Sequence, residues 1–454
     1  MSTSEPNTDA ALSLNPYGLA EIPATAATLT APRNLSLRSN FAWALTGNVV
    51  FAACQWGMIV ALAKLGSSFM VGQFSLALAI ATPILMFSNF DLRAVQATDA
   101  QRQYRFNEYL RLRLFMTLVA LTAIGAIVWL GGYERRTALV ILAVAVAKAV
   151  ETLSDIHYGL FQLNGRLDQT GRSMMLRGLV SLATLSAVLY ATHNIFWACA
   201  GVAVAWAVAL LLFDIRRGRR MVAVTESAGV ARRSGLSRQK RLLWLALPMG
   251  VVTTTASVNL HMPRYFIHAR MGEHQLGVFS ALAYATVSLT LVGDSLGSSA
   301  IPWLSRMYAC ENLAEYRALL LRLLTVGTGI GLCGVAIAHT FGGRLISLFY
   351  SPEYAIHAHV FTLLVGAAAI HFAASMLTSG ITSARCFRLQ VPLYAVVAGV
   401  TALGCALWVP AYGLAGGAMA VICGATARLL LAAAVLWYLL FSPSHAARAG
   451  GWSL

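Results

Sequence analysis

From Phe41 onward the chain repeats apolar runs of about twenty residues with little pause between them. Each run is long enough to cross a hydrocarbon core of about 30 Å at about 1.5 Å of rise per helical residue. Lipid offers no hydrogen-bond partners, so segments facing it must satisfy their own backbone, which makes them helices. The pattern predicts an all-α integral membrane protein of about 12 transmembrane helices. The spans fall at 41–64, 70–90, 112–131, 137–160, 174–192, 195–213, 243–266, 276–296, 319–340, 357–380, 391–409 and 414–441. Composition agrees, with 58% hydrophobic and 11% charged residues in 454, where a soluble domain carries roughly a quarter charged.

A net charge of +16 would suggest nucleic acid in a soluble protein, but in a membrane protein the distribution of Lys and Arg among loops sets orientation. With the N-terminus inside, 25 Lys or Arg fall on the cytoplasmic side and 6 outside, namely Lys64, Arg135, Arg136, Arg264, Arg270 and Arg344, while Lys148 and Arg428 lie within spans. Both termini are therefore expected in the cytoplasm. The first 32 residues hold no Lys or Arg and are rich in Ser, Thr, Ala and Pro. They are expected to form a disordered tail rather than a cleaved signal peptide. The seven cysteines are scattered, with no CxxC, so neither disulfides nor a metal site is expected, and no cofactor.

The chain also resembles itself. Gly72-Gln73-Phe74-Ser75 matches Gly277-Val278-Phe279-Ser280 at an offset of 205, Glu108-Tyr109 with Arg113 recurs as Glu315-Tyr316 with Arg322, and Asn164-Gly165-Arg166 resembles Ser383-Ala384-Arg385 at 219. The growth in offset places an insertion around Gly342 to Tyr354. Six helices separate the copies, so both have the same orientation, and the design is that of two six-helix bundles related by a parallel internal repeat. The expected divisions are a cytoplasmic tail at 1–38, an N-terminal bundle at 39–214, a basic linker at 215–242 that either touches anionic lipid as a tether or makes a regulatory contact, a C-terminal bundle at 243–441 and a cytoplasmic tail at 442–454.

A charge at mid-bilayer costs about 2.5 to 3.5 kcal/mol on insertion scales, so those that occur face a cavity or a partner. Lys148, Glu151 and Asp155 share one face of span four, with Lys148 roughly 16 Å and Glu151 roughly 21 Å from its outer end. A local Lys148–Glu151 pair and a cavity-lining role are both open. Arg428, near the middle of span twelve, has no acid within a turn on its own helix. His371 on span ten lies close to the repeat position of Lys148. Ser257, His261 and Arg264 share a face of span seven, where Arg264 near the outer edge either snorkels or attracts an anion. Asp294 pairs in the repeat with Asn89 and is expected near the inner interface. Asn48 and Gln55, seven apart on span one, bond between helices or line the cavity. Lys148, Arg428, Arg264 and His371 are the candidates for binding an anionic substrate; Glu151, Asp155 and Asp294 are the candidates for ion or proton coupling; Asn48, Gln55 and His261 are polar cavity candidates.

These residues resemble the Wzx-type polysaccharide (O-antigen) flippases, within the superfamily that also holds MATE exporters and lipid II flippases. The resemblance covers residues 38 to 441. It rests on Gly72 to Phe74, Asp91-Leu92-Arg93 to Tyr109, Leu247-Pro248, Pro263-Arg264-Tyr265 and Gly277 to Phe279. Ile301-Pro302-Trp303-Leu304, Leu348-Phe349-Tyr350 to Tyr354, and Gly413-Leu414-Ala415-Gly416-Gly417 extend it. It implies an inner-membrane transporter, not an enzyme, that moves an undecaprenyl-diphosphate-linked oligosaccharide between leaflets for O-antigen, capsule or exopolysaccharide assembly. Its implied partners are that lipid-linked oligosaccharide, membrane lipids, and the polymerase and chain-length proteins, with no nucleic acid. The glycan and the coupling ion stay open. A MATE-like cation-coupled multidrug exporter is the nearest rival and would want acidic cavity residues. An integral-membrane glycosyltransferase or acyltransferase is more remote, because the sequence holds no DxD, HxxxxD or P-loop.

Overall fold

The computed structural model describes residues 36–99, 103–226, 236–310, 312–384 and 387–441. The two expected tails therefore lie almost wholly outside the described residues, as do Arg232 and Arg233 of the linker and Arg385 of the repeat. Every regular element among the described residues is helical. The N-terminal half contains α1 (Leu37–Leu65), α2 (Ser68–Asn89), α3 (Leu92–Thr98), α4 (Phe106–Leu130), α5 (Arg135–Leu163), α6 (Leu167–Thr192) and α7 (Ile195–Ala209). A π-helical turn, Leu210–Ile215, then joins α7 to α8 (Arg216–Glu226). The C-terminal half contains α9 (Leu236–Ala285), α10 (Val287–Ala309), α11 (Leu313–Phe349), α12 (Pro352–Ala355), α13 (Ala358–Ser383) and α14 (Phe387–Phe441).

Ten of these helices are long and apolar enough to cross a membrane. Two of the ten are double. Straight, the 50 residues of α9 would reach about 75 Å at about 1.5 Å per residue, more than twice a hydrocarbon core. The helix instead reverses at Gly272, where φ is 77° and ψ −175°, a conformation that glycine adopts without a Cβ penalty. Across this hairpin the Arg264 guanidinium lies over the Tyr284 ring at 5.2 Å. The 55 residues of α14 reverse likewise at Gly413, with φ 57°. Its arms touch so closely that a Cβ at Gly416 would stand 2.0 Å from the Trp408 carbonyl oxygen. Resolving both hairpins gives twelve passes, six per half, the eighth made of 273–285 and α10. At the expected linker, helix continues from the sixth pass through α8 to Glu226 instead of ending near residue 214.

The turns alternate between two ends. One, the hairpin end, holds residues 66–67, 131–134, 193–194, 272, 350–357 and 413; the other, the basic end, holds α3, residues 164–166 and α8. At the hairpin end the halves are closely packed. Trp56 Nε1 donates to the Tyr350 hydroxyl at 3.0 Å and Lys64 Nζ to the Leu348 carbonyl at 2.8 Å. Ser68 Oγ donates to Glu353 at 3.0 Å, Ser351 Oγ to the Ala63 carbonyl at 3.2 Å, and Thr137 Oγ1 to Glu273 at 2.7 Å. Four of these five bonds end on residues 348–353, the stretch that breaks the repeat offset. The insertion is thus a strap from the C-terminal half onto α1 and α2, anchored by Tyr354, which is fully buried. The main apolar core runs through both halves here, from Met58 and Val71 to Leu276, Phe279 and Tyr350.

Toward the basic end, the first arm of α9 stays against the N-terminal half. Phe90, Leu92 and Tyr109 share a core with Leu242 and Ala246, and the Arg238 guanidinium lies over Tyr104 at 5.6 Å and 3.8 Å from Glu108. A separate core of Leu304, Tyr316, Leu377, Ile381, Val397 and Leu436 closes the C-terminal half on itself.

Candidate functional site

α5 supplies the densest polar group. Lys148 and Glu151, one helical turn apart, form an ion pair at 2.6 Å. Both are about a quarter exposed, so neither is sealed from a cavity. Glu151 has a second cation, Arg177 of α6, at 3.9 Å. Arg177 is 2% exposed; it donates to the Tyr158 hydroxyl at 3.1 Å and stacks over Trp206 at 4.6 Å. Asp155, a turn further along α5, lies 3.3 Å from both Arg93 of α3 and Arg113 of α4. Arg113 is 0% exposed. The orientation count takes Arg113 and Arg177, at the inner ends of spans three and five, as cytoplasmic, yet both are inside the N-terminal bundle; removing them, and from the outer six the likewise buried Arg264, leaves 23 against 5, so the bias survives.

Asp214 belongs to the same neighbourhood. It is fully buried, within the π-helical turn, a local insertion often found at functional sites. The Ser154 and Ser173 hydroxyls, Arg177 and His157 surround it, but neither carboxylate oxygen makes a hydrogen bond of good geometry.

Other polar candidates approach this group from two sides. Gln55 and Lys148 are polar members of the lining of a small cavity among α1, α2, α5 and α7, beside Met58, Phe74 and Trp206. Gln55 Nε2 has no partner there. Asn48, on the same face of α1, is exposed and donates to the Ala44 carbonyl of its own helix at 2.8 Å. From α9, His261 and Arg264 contact each other through Nδ1 and a guanidinium nitrogen, and the Lys148 charge is within electrostatic range of His261. Arg264 is buried at 6% exposure. It does not snorkel at the edge, because the α9 hairpin folds Tyr284 over it.

The C-terminal half brings three more candidates together. Arg428 donates to His371 Nδ1 at 3.1 Å and to Thr378 Oγ1 at 3.3 Å, and lies over the Tyr394 ring at 5.3 Å. His371 Nε2 is 3.5 Å from Asp294, which also accepts from Ser375 Oγ at 2.6 Å. His371 is the fourteenth of the 26 residues of α13, so Asp294 stands beside the helix middle rather than near the inner interface. The reason is length: α2 ends at Asn89, whereas the pass that holds Asp294 runs on through α10 to Ala309. The Asp294 side chain is 55% exposed.

The sequence reading missed Arg93, Arg113, Arg177 and Asp214. Asp214 follows directly on the predicted end of span six, and the three arginines precede or open spans, so each looks like a loop charge. That Arg113, Arg177 and Asp214 are buried, and that Arg93 reaches Asp155, is visible only once α3, α4, α6 and α7 are packed around α5.

The family model described as "Polysaccharide biosynthesis protein" matches residues 37–308. The chain is 26% identical over 315 residues to the capsular polysaccharide biosynthesis protein CapF of Staphylococcus aureus, covering 69% of this chain and 78% of that protein. It is 28% identical over 166 residues to the EPS I polysaccharide export inner membrane protein EpsE of Ralstonia solanacearum, covering 36% and 38%. Among solved structures, the lipid II flippase MurJ in an inward closed conformation superposes with a TM-score of 0.69 over 87% of each chain at 10% identity. An inward-facing MATE family transporter does so with a TM-score of 0.59 over 92% of this chain and 97% of that one at 14% identity. At such identities the likeness is one of fold.

Proposed function

Since this chain belongs to the polysaccharide biosynthesis protein family, we propose that it is a flippase that carries an undecaprenyl-diphosphate-linked oligosaccharide across the bacterial inner membrane, with both termini in the cytoplasm. The hairpin end is then periplasmic and the basic end cytoplasmic, so the strap closes the exit side. The observation that carries the reading is a surplus of positive charge among the polar clusters. Six cations, Arg93, Arg113, Lys148, Arg177, Arg264 and Arg428, stand with five carboxylates, Asp91, Glu151, Asp155, Asp214 and Asp294. A diphosphate suits such a site, because guanidinium groups bind phosphate oxygens in pairs of charge-assisted hydrogen bonds.

A MATE-like exporter of organic cations needs an anionic pocket. Glu151 is held between Lys148 and Arg177, and Asp155 between Arg93 and Arg113, so neither carboxylate is free to take a cation. Asp294, beside His371 and exposed, is the favoured coupling group. Reconstitution in proteoliposomes tests the choice. Transfer of a lipid-linked glycan to the opposite leaflet supports the flippase; drug transport without glycan transfer overturns it. In cells, deletion is expected to deplete a surface polymer and leave its lipid-linked repeat on the cytoplasmic face. Polymerase and chain-length proteins would act next on the periplasmic side.

A further inference from the structure

At the basic end of the N-terminal half, four arginines gather around one carboxylate. Arg166 grips Asp168 with two bonds, at 2.8 and 3.0 Å. Gln169 Nε2 donates to the same carboxylate at 2.6 Å, and the Gln169 side-chain oxygen accepts from Arg217. Asp168 and Gln169 are buried, so they hold Arg166 and Arg217 in place while Arg166 consumes the one negative charge. Arg172 lies one turn beyond Gln169 on α6, and Arg220 one turn beyond Arg217 on α8. Their charges all act on Arg217. Aromatic faces support the group: Arg217 over Phe213 at 3.9 Å and Arg172 over Trp43 of α1 at 5.0 Å.

Such an arrangement is costly when empty. Like charges repel, and the single carboxylate is already saturated by Arg166 and Gln169. Arg172 and Arg220 are exposed and leave donors free beside Arg217. The position is where the fifth pass begins and the sixth runs out into α8; for a chain that crosses a bilayer this is the level of the head groups, and Trp43 is the kind of residue that marks such an interface. We infer that Arg166, Arg172, Arg217 and Arg220 form a binding site for the phosphate of a lipid head group. Planar guanidinium groups on three helical turns converge on one anion, and the aromatic faces fix their orientation. The phosphate belongs either to a bulk anionic phospholipid or to a polyprenyl diphosphate. The site does not depend on the flippase reading, since it concerns a head group at the surface and no transport step.

The test uses the purified full chain in phosphatidylcholine nanodiscs doped with phosphatidylglycerol in one arm and with undecaprenyl diphosphate in the other, with retained lipid counted by native mass spectrometry. The Arg172→Gln/Arg217→Gln double variant is expected to retain about tenfold less of at least one phosphate lipid, the loss corresponding to about 1.4 kcal/mol. The control is Arg216→Gln/Arg219→Gln, which removes the same charge from exposed positions of α8 outside the cluster and should change retention little. Arg172→Lys/Arg217→Lys, tested for folding by thermal melting, keeps the charge and should recover part of the retention. Loss with phosphatidylglycerol assigns a bulk phospholipid, loss with undecaprenyl diphosphate alone assigns the diphosphate lipid, and both support the site. Equal loss in the two glutamine doubles would reduce the cluster to general surface charge and overturn the inference, as would no loss in either.

Discussion

Gly72 and Gly277, the matching residues of the internal repeat, face each other across the contact between the two halves. A Cβ at Gly277 would stand 1.7 Å from the Ser68 carbonyl oxygen and 2.9 Å from the Gly72 nitrogen, and a Cβ at Gly72 would stand 1.8 Å from the Glu273 carbonyl oxygen. The halves thus meet backbone to backbone where the repeat maps onto itself, as small residues allow between membrane helices.

Gly72→Ala and Gly277→Ala should each force the halves apart at the hairpin end, because the obstacles are carbonyl groups that cannot rotate away. Both variants are expected to insert normally. A cysteine placed at Thr137 in a cysteine-free background should label faster with a membrane-impermeant maleimide in each of them. Unchanged labelling in both would mean that this contact does not hold the end closed.

The strap gives a second prediction at the same end. Trp56→Phe removes the bond to Tyr350, and Glu353→Ala removes the acceptor of the Ser68 hydroxyl, 3.0 Å away. A hydrogen bond of this kind contributes about 1 kcal/mol net, so each change alone should raise Thr137Cys labelling modestly, by about fivefold or less. The double variant should exceed either one. Shortening α11 to α13 by deleting 350–355 should abolish closure altogether.

Asp155 and Asp294 should part company on substitution. Asp155→Asn takes from Arg113, sealed from solvent, the carboxylate 3.3 Å away and leaves it the Asp91 charge alone; breaking a buried pair costs about 3 to 5 kcal/mol, and thermal stability in detergent should fall clearly. Asp294 is half exposed and next to a histidine, so Asp294→Asn should melt close to the parent while altering the pH dependence of transport. A marked drop in stability for Asp294→Asn would return it to a structural role.

Lys148→Ala and Arg428→Ala are expected to insert normally and lose polymer export by about tenfold or more. Lys148→Ala leaves Glu151 with Arg177, and Arg428→Ala leaves Asp294 with His371 and Ser375, so neither strands a buried charge. Export at the parental level in both would mean that these two cations do not bind the substrate.

The lining-up of Lys148, Glu151 and Asp155 was legible because one helix carries all three, and helical period alone puts them on one face. The meeting of Arg428, His371 and Asp294 was not, since they come from three helices and the eighth pass runs on past Asp294 to Ala309 where its repeat mate α2 ends at Asn89. Asp214 was hidden for a related reason: it lies just past the predicted end of span six, and only the helix that continues there through a π-helical turn, packed against α5, buries its carboxylate.

The sequence by itself determined the number of passes, the alternation of their ends and the two-fold repeat, because apolar length and the need to satisfy backbone hydrogen bonds in lipid leave the chain little choice. Tertiary structure alone decided which charges are partnered, that Arg113 and Arg177 are internal, and that the inserted stretch straps one half to the other. Side-chain charges in a bilayer must find partners within a few ångströms, and those distances are set by how helices pack and where glycines let them turn, which the linear order of residues does not contain.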